Sequence, residues 1–384
     1  MPFAKPVGVE VSCMPSSLRT RDCLIFAGGG TAGHLMPGLT AAEQLQREVF
    51  RLRIVFACGG RPLESTLIRR ARMEMAVVPC RPRPRSWRDV IPCAWHNFCG
   101  YLKAEELLRN LRPLAVVGLG GYVSVPVAMA ALRRGVPLVL MEQNVIPGRA
   151  TRLLARHARA VCTSFLETAN RLPAGSHVRL TGNPVREDIA HARRRVDTAH
   201  APAPCLLVLG GSGGARTLNQ QVPQALAGLG PQLQGWRVLH QCGPNEVEAT
   251  RRLYAALGVE AEVTPFVTDM PQTLATAGLV VSRAGGTTLA ELAAAGVPAV
   301  VVPYPHAADN HQLRNAQRLA ASGACLVLDE RQIGDDLPQR LRIAIAGLVT
   351  NPGARNAMSV AMRRMSHPQA ANDITRVIRD IAGL

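Results

Sequence analysis

Two stretches of this 384-residue chain share one grammar, and that repetition constrains the fold more than any other feature. CLIFA at 23–27 runs into Gly28-Gly29-Gly30 and then a helical pattern over Pro37–Val49. CLLVL at 205–209 runs into a second glycine cluster and a helical pattern beginning near Arg216. Each opening is followed by short β-rich runs alternating with amphipathic helical ones. After the first come RIVFAC (53–58), LAVVGLG (114–120), PLVLME (137–142) and AVCTS (160–164). After the second come VLHQC (238–242), VTPFV (263–267), LVVSRAGG (279–286), AVVVPYP (299–305) and CLVLD (325–329). Strand–helix alternation of this kind requires parallel sheets with helices on both faces. The chain therefore reads as α/β, with two doubly wound domains in tandem. Such sheets bind ligands beyond the carboxyl ends of their strands, so two of them face to face make a cleft.

The boundaries follow from where the pattern starts, restarts and ends. Residues 1–21 are expected to be a poorly ordered extension, because they lack an apolar h-region and match no element. Residues 22–185 form the first domain and 186–365 the second, with 190–204 a surface connection near its start. The remaining 366–384 carry a terminal helix with apolar residues at helical spacing. The longest uncharged run, Pro113–Leu132, has the length of a membrane span, but Gly118, Gly120, Gly121 and Pro126 punctuate it as strand, loop and helix. The ten cysteines are scattered and form no C-x-x-C pair, which points to a reducing compartment without zinc or disulfides.

Charge is distributed unevenly. Residues 1–185 carry 25 basic and 11 acidic side chains, whereas 186–384 carry 19 and 16. The excess in the first half calls for an anionic partner: nucleic acid, an acidic membrane surface or a phosphorylated substrate. No nucleic-acid motif is present. Arg81, Arg83, Arg85 and Arg88 interleave with Trp87 and lead to Trp95 and Phe98. That density of basic and aromatic residues suits an anionic bilayer. The competing reading is a solvated arginine loop followed by a core helix that buries Trp95 and Phe98.

Four glycine-rich turns carry the chemistry. Gly28 to Gly33 matches G-x-G-x-x-G, the form that seats a pyrophosphate on a helix N-terminus. The next strand ends IVFACGG, without the acid a dinucleotide's ribose requires, which argues against a nicotinamide dehydrogenase. His34 follows at the start of the helix, where a neutral imidazole can take a proton near pH 7 or serve only as a structural residue. Gly118-Leu119-Gly120-Gly121-Tyr122 is the second turn, and Gly210 to Arg216, with Ser212, the third. The fourth, Ser282 to Glu291, is the most informative. A helix beginning near Gly286 or Thr287 and stopped by Gly296-Val297-Pro298 offers glycines and two hydroxyls to a diphosphate. One turn in, the Glu291 carboxylate can accept from both hydroxyls of a ribose. Asn310 and Gln312 suit sugar hydroxyls. His306 and His311 are not expected to form a metal site, and no D-x-D occurs, so neither a metal nor a cofactor is expected.

In combination, GGTAGHLMPGL (29–39), GLGGYVSVPV (118–127), EQNVIPG (142–148), TGNPVR (181–186), GGSGGARTLN (210–219) and RAGGTTLAELAAAGVPAVVVPYP (283–305), followed by Asn310-His311-Gln312 and Asn315-Ala316, resemble the MurG family of peptidoglycan glycosyltransferases from about Asp22 onward. The resemblance implies two Rossmann-like domains of GT-B type around a cleft, with the last helix crossing back to the first domain. It implies transfer of N-acetylglucosamine from UDP-N-acetylglucosamine to the 4-hydroxyl of a lipid-linked muramyl-pentapeptide, with inversion. His34 would be the base. Thr31, Ala32, Gly33 and Asn144 would meet the donor sugar and diphosphate. Arg186 and Ser212 would meet the nucleotide, and Val267 would offer its backbone to the uracil. Gly286, Thr287, Thr288, Leu289, Ala290 and Glu291 would hold the pyrophosphate and ribose, and Gln312 the sugar hydroxyls. Gly120, Gly121 and Tyr122, with Arg85, Trp87, Arg88 and Trp95, would face acceptor and membrane. Two positions depart from the family: Ala32 stands where Gly is frequent, and His311 where some relatives carry Gln. The implied setting is peripheral, on the cytoplasmic face of the inner membrane, with other cell-wall synthesis proteins as partners. The alternatives are a UDP-sugar transferase acting on another lipid, such as diacylglycerol, and a non-catalytic nucleotide-sugar sensor.

Overall fold

The computed structural model describes residues 22–82, 86–190, 203–211 and 213–384. The expectations for the leading extension, for Arg85, for Ser212 and for most of the 190–204 connection lie outside the described residues. Two all-parallel sheets form. The first comprises β1 (Cys23–Gly28), β2 (Arg53–Cys58), β3 (Glu74–Val77), β4 (Ala115–Gly120), β5 (Leu138–Glu142), β6 (Ala160–Thr163) and β7 (Val178–Leu180), in the order β3-β2-β1-β4-β5-β6-β7. The second comprises β8 (Cys205–Leu209), β9 (Arg237–Gln241), β10 (Glu262–Thr264), β11 (Ala277–Ser282), β12 (Ala299–Val301) and β13 (Cys325–Val327), in the order β10-β9-β8-β11-β12-β13. Strand order reverses between β1 and β4 and between β8 and β11, where a doubly wound sheet opens its ligand crevice.

The central strands are apolar throughout because both faces are covered. In β1, Leu24 and Phe26 join one core while Ile25 and Ala27 join the other. In β8, Cys205, Leu207 and Leu209 face one layer and Leu206 and Val208 the opposite one. The edge strands β3 and β7 were not evident in the sequence. They are short and largely exposed, so they lack the apolar run that marks the interior strands.

The first helix spans Ala32–Glu48, beginning five residues before the Pro37 expected from the pattern. Pro37 sits inside it, and its missing N–H leaves the carbonyl of Gly33, four residues back, without a helical partner. That carbonyl accepts instead from Thr287 Oγ1 at 2.6 Å, across the boundary between the two sheets. The terminal helix, Ala370–Ala382, crosses back to the first sheet: Ile374 and Ile378 are buried with Leu24, Phe26, Leu35 and Leu39, and Arg379 pairs with Glu48 at 3.2 Å. The Pro113–Leu132 run resolves into β4, a glycine turn and the helix Ser124–Arg133. No helix among the described residues is long and apolar enough to cross a membrane.

Candidate active site

The carboxyl ends of the two sheets face each other across a cleft of about 1020 Å³. One wall comes from the β1 turn, the first helix and the loop after β5. The other comes from the turns after β8, β9, β10, β11 and β12.

On the first wall His34 is held by its surroundings. Thr31 Oγ1 lies 3.2 Å from Nδ1, and a methyl placed on Gly120 would meet the ring at 3.2 Å. Burial lowers its pKa below the ordinary 6.5. The charge of His311 acts the same way, while Glu142 and a hydrogen bond to the Gly29 backbone oppose the shift. The imidazole is therefore neutral near pH 7 and free to accept a proton.

Glu142 ends β5 and is 5% exposed. Its carboxylate accepts from the Asn144 backbone (3.1 Å), Asn144 Nδ2 (3.0 Å), the Gly148 backbone (2.9 Å) and Thr151 Oγ1 (2.6 Å). Asn144 Oδ1 in turn accepts from Asn315 Nδ2 at 3.0 Å, and Asn315 Oδ1 accepts from the Val145 backbone at 2.9 Å. A fully satisfied buried network of this type fixes geometry. It orients Asn144 at the cleft and ties the first half of the chain to the second.

The second wall is built on the helix Gly286–Ala295, which opens after the extended Gly285 and ends at the left-handed Gly296. Its N-terminal N–H groups and dipole favour an anion. Gly286 packs so tightly on the Gln143 carbonyl of the opposite wall that a Cβ there would clash with backbone. Glu291 faces the cleft one turn in. Burial pushes its carboxyl up to about 7, with Arg186 pulling it down and Asp188 raising it. Gln312 Oε1 accepts from the backbones of Ala284 (3.2 Å) and Tyr304 (2.9 Å), so its amide group is the end left for a ligand. Gln241 grips Gly211 through both ends, accepting from its N–H (3.1 Å) and donating to its carbonyl (2.9 Å).

Of the residues expected at the site, the cleft brings together Thr31, Ala32, Gly33, His34, Asn144, Arg186, Val267, Gly286, Thr287, Thr288, Glu291 and Gln312. Leu289 and Ala290 are a correction: they turn to the far side of the helix and line a separate cavity of about 230 Å³, and the Leu289 N–H is already bonded to the Gly285 carbonyl. Helical periodicity separates them from Thr288 and Glu291. Gly120 and Gly121 stand beside His34 and the Tyr122 ring lies towards Gly30, and none of the three lines the cleft itself. Glu142, Asn315 and Gln241 were given no role from sequence. The available signal was a lone acid closing the apolar strand LVLME. Among the described residues, no group of three or more His, Cys, Asp or Glu assembles as a metal site would.

A second surface lies away from the cleft. The helix Val90–Leu111 packs through Cys93, Gly100, Ala104 and Leu108. Its opposite stripe remains uncovered: Ile91 is 80% exposed, Trp95 64%, Phe98 51% and Leu102 51%, and Trp87, in the short turn just before the helix, is 79% exposed. The reading of Trp95 and Phe98 as core residues is therefore wrong. The helix packs through the face that carries Cys93, Gly100, Ala104 and Leu108, which leaves Trp95 and Phe98 on the other side. Arg88 stacks on Trp87 at 5.4 Å.

Comparison with known proteins agrees with this architecture. The glycosyltransferase family 28 N-terminal domain matches residues 24–163, and the family 28 C-terminal domain matches 205–374. The UDP-N-acetylglucosamine–N-acetylmuramyl-(pentapeptide) pyrophosphoryl-undecaprenol N-acetylglucosamine transferase of Pseudomonas fluorescens is 37% identical over 361 residues, covering 94% of this chain and 98% of its own. The protein of the same name from Myxococcus xanthus is 35% identical over 360 residues, covering 93% and 92%. The crystal structure of Acinetobacter baumannii MurG superposes with a TM-score of 0.72 at 30% identity, covering 94% of this chain and 99% of that one. A Neisseria meningitidis UDP-GlcNAc 2-epimerase shares the fold alone, with a TM-score of 0.66 at 11% identity over 93% of this chain and 99% of that one. Matched in both halves and along nearly its whole length, the chain belongs to the MurG family within glycosyltransferase family 28.

Proposed function

We propose that this chain transfers N-acetylglucosamine from UDP-N-acetylglucosamine to the 4-hydroxyl of undecaprenyl-pyrophosphoryl-N-acetylmuramyl-pentapeptide. The observation that carries the reading is the placement of His34, a neutral base, across a cleft from the N-terminus of the helix Gly286–Ala295. In this reading residues 186–365 hold the donor: Glu291 takes the ribose hydroxyls, Val267 and Arg186 the base and nucleoside, and Gly286 to Thr288 the diphosphate. Gln312 and Asn144 take the sugar hydroxyls. Thr31, Ala32 and Gly33 close over the diphosphate from the other wall. The acceptor hydroxyl attacks the anomeric carbon from the face opposite UDP and inverts it, and His34 takes the proton. Negative charge growing on the departing UDP is met by backbone N–H groups and the helix dipole. A preorganised donor of this kind typically contributes about 3–4 kcal/mol to the transition state.

Residues 22–185 present the acceptor, with Gly120 and Gly121 beside His34 and Tyr122 next in the same turn, and 366–384 pin the two halves together. The exposed stripe of Trp87, Ile91, Trp95, Phe98 and Leu102, with Arg81 and Arg88 at its start, suits insertion into an anionic bilayer surface. In this reading the protein sits peripherally on the cytoplasmic face of the inner membrane, within reach of other cell-wall synthesis proteins. The test is UDP release by the purified chain with the lipid-linked muramyl acceptor, compared with diacylglycerol, using UDP-N-acetylglucosamine, UDP-galactose and UDP-glucose as donors. Turnover confined to the first donor and first acceptor supports the reading, and turnover with diacylglycerol instead replaces it. For the membrane surface, an Ile91→Ser/Trp95→Ser variant should no longer sediment with vesicles containing anionic lipid. Sedimentation equal to the unaltered chain would remove that part of the reading.

A further inference from the structure

Three glycine-rich turns stand side by side at the mouth of the first sheet, after β2, β1 and β4. Gly30, Gly60, Gly120 and Gly121 have φ of 88°, 81°, 92° and 76°, a region that glycine enters freely and other residues rarely. Turns built this way have little stiffness of their own, so a site resting on them needs an external tie. One side chain reaches all three. Arg61 follows Gly60 in the β2 turn. Its Nη1 donates to the Gly30 carbonyl at 2.8 Å in the β1 turn. Its Nη2 donates to the Tyr122 hydroxyl at 2.9 Å in the β4 turn, and the guanidinium carbon lies 5.7 Å from the centre of the Tyr122 ring.

The base of this tie is also fixed. Glu64, 2% exposed, accepts from the Gly30 N–H at 2.5 Å and from the Arg61 N–H at 2.9 Å. A side chain on Gly29 would collide with that carboxylate, and one on Gly121 would meet the Gly29 carbonyl at 2.9 Å. The turns are thus in direct contact, with His34 between them: Thr31, next to Gly30, lies against Nδ1, and Gly120, two residues before Tyr122, lies against the ring.

We infer that Arg61 is a positioning residue for the acceptor step, tying the Gly30–Thr31 and Gly120–Tyr122 turns against His34 through its planar fork. This rests on the transferase reading above. Only a guanidinium supplies two divergent donors and a flat face together; lysine supplies the charge without the fork.

The experiment uses the full chain and its Arg61→Met, Arg61→Lys, Tyr122→Phe and Arg61→Met/Tyr122→Phe variants. UDP affinity is measured by calorimetry, kcat and KM with the lipid acceptor varied, and the His34 ring signals by NMR across pH without substrate. Arg61→Met is expected to lower kcat/KM for the acceptor about 10- to 100-fold, the usual effect of losing charged hydrogen bonds. UDP affinity should fall much less than kcat/KM, because only the Thr31–Gly33 side of the diphosphate is loosened and the helix Gly286–Ala295 is untouched. Arg61→Lys should recover little. The double variant should lose far less than the product of the single losses, since the two side chains act as one unit. The His34 titration should move in Arg61→Met. Full activity of Arg61→Lys, losses that multiply, UDP affinity falling in step with turnover, or an unmoved His34 titration would each overturn the inference. If the unaltered chain itself gives no turnover, the transferase reading fails, and the His34 signals still decide the role of Arg61.

Discussion

Glu291 sets a measurable conflict between stability and binding. Burial raises its carboxyl from the ordinary 4.5 to about 7 in the ligand-free fold. A displacement of about 2.5 pH units corresponds to about 3 kcal/mol of difference between the protonated and ionised forms. The folded chain holds this proton more tightly than the unfolded chain. Its contribution is therefore fully favourable below pH 4.5 and is lost as pH rises through about 7. A Glu291→Gln variant, which cannot ionise, should unfold at a higher midpoint than the unaltered protein at pH 8.5, and the gap should close towards pH 5. Nucleotide affinity should move the other way. In the proposed site the ionised carboxylate accepts from two ribose hydroxyls, and the amide offers a single neutral oxygen. UDP should therefore bind about 10-fold or more weakly to the variant at pH 8.5, as expected for losing hydrogen bonds to a charged group. Affinity of the unaltered chain should rise from pH 5.5 to 8.5 as the carboxyl ionises. The assay is thermal unfolding of both proteins at pH 5.5, 7 and 8.5, with UDP calorimetry at the two extremes. A stability gap that stays constant with pH, or widens towards acid, would refute the reasoning.

Thr287→Val should cost about 1–3 kcal/mol, because Pro37 provides no N–H and the Gly33 carbonyl is left unpaired; Thr287→Ser should recover most of the lost unfolding midpoint. Gly286→Ala places a methyl against the Gln143 carbonyl, and a forced separation of about 1–3 kcal/mol should lower turnover at least tenfold while each half keeps its circular-dichroism spectrum. The acid limb of kcat/KM, which reports ionisation of the base, should fall below pH 6.5, since burial holds the His34 imidazole below its ordinary value. His34→Ala should abolish that limb together with most of the rate.

The glycine turns and the apolar strands were legible because both are local. A buried parallel strand is apolar along its whole length, and a left-handed turn selects glycine, so CLIFA, CLLVL and the clusters after them are visible without any partner. The stop of the fourth-turn helix at Gly296 was read for the same reason. What sequence left undecided was every question of facing. Leu289 and Ala290 sit in the same motif as Thr288 and Glu291, yet the pitch of the helix sends them to a different cavity. Trp95 and Phe98 are apolar at helical spacing, the pattern of a core helix, yet that helix packs through its other face and leaves them in solvent. The links between distant segments were equally hidden. Glu142 to Asn144 to Asn315, Arg61 to Tyr122, and Thr287 to the carbonyl freed by Pro37 join residues whose separation along the chain carries no signal. Local backbone preference and period marked the buried strands, the glycine turns and the order in which they follow one another, but not the short exposed edge strands β3 and β7. Whether a side chain meets solvent, a ligand or a partner 254 residues away depends on how those elements pack, and the tertiary structure alone supplies that.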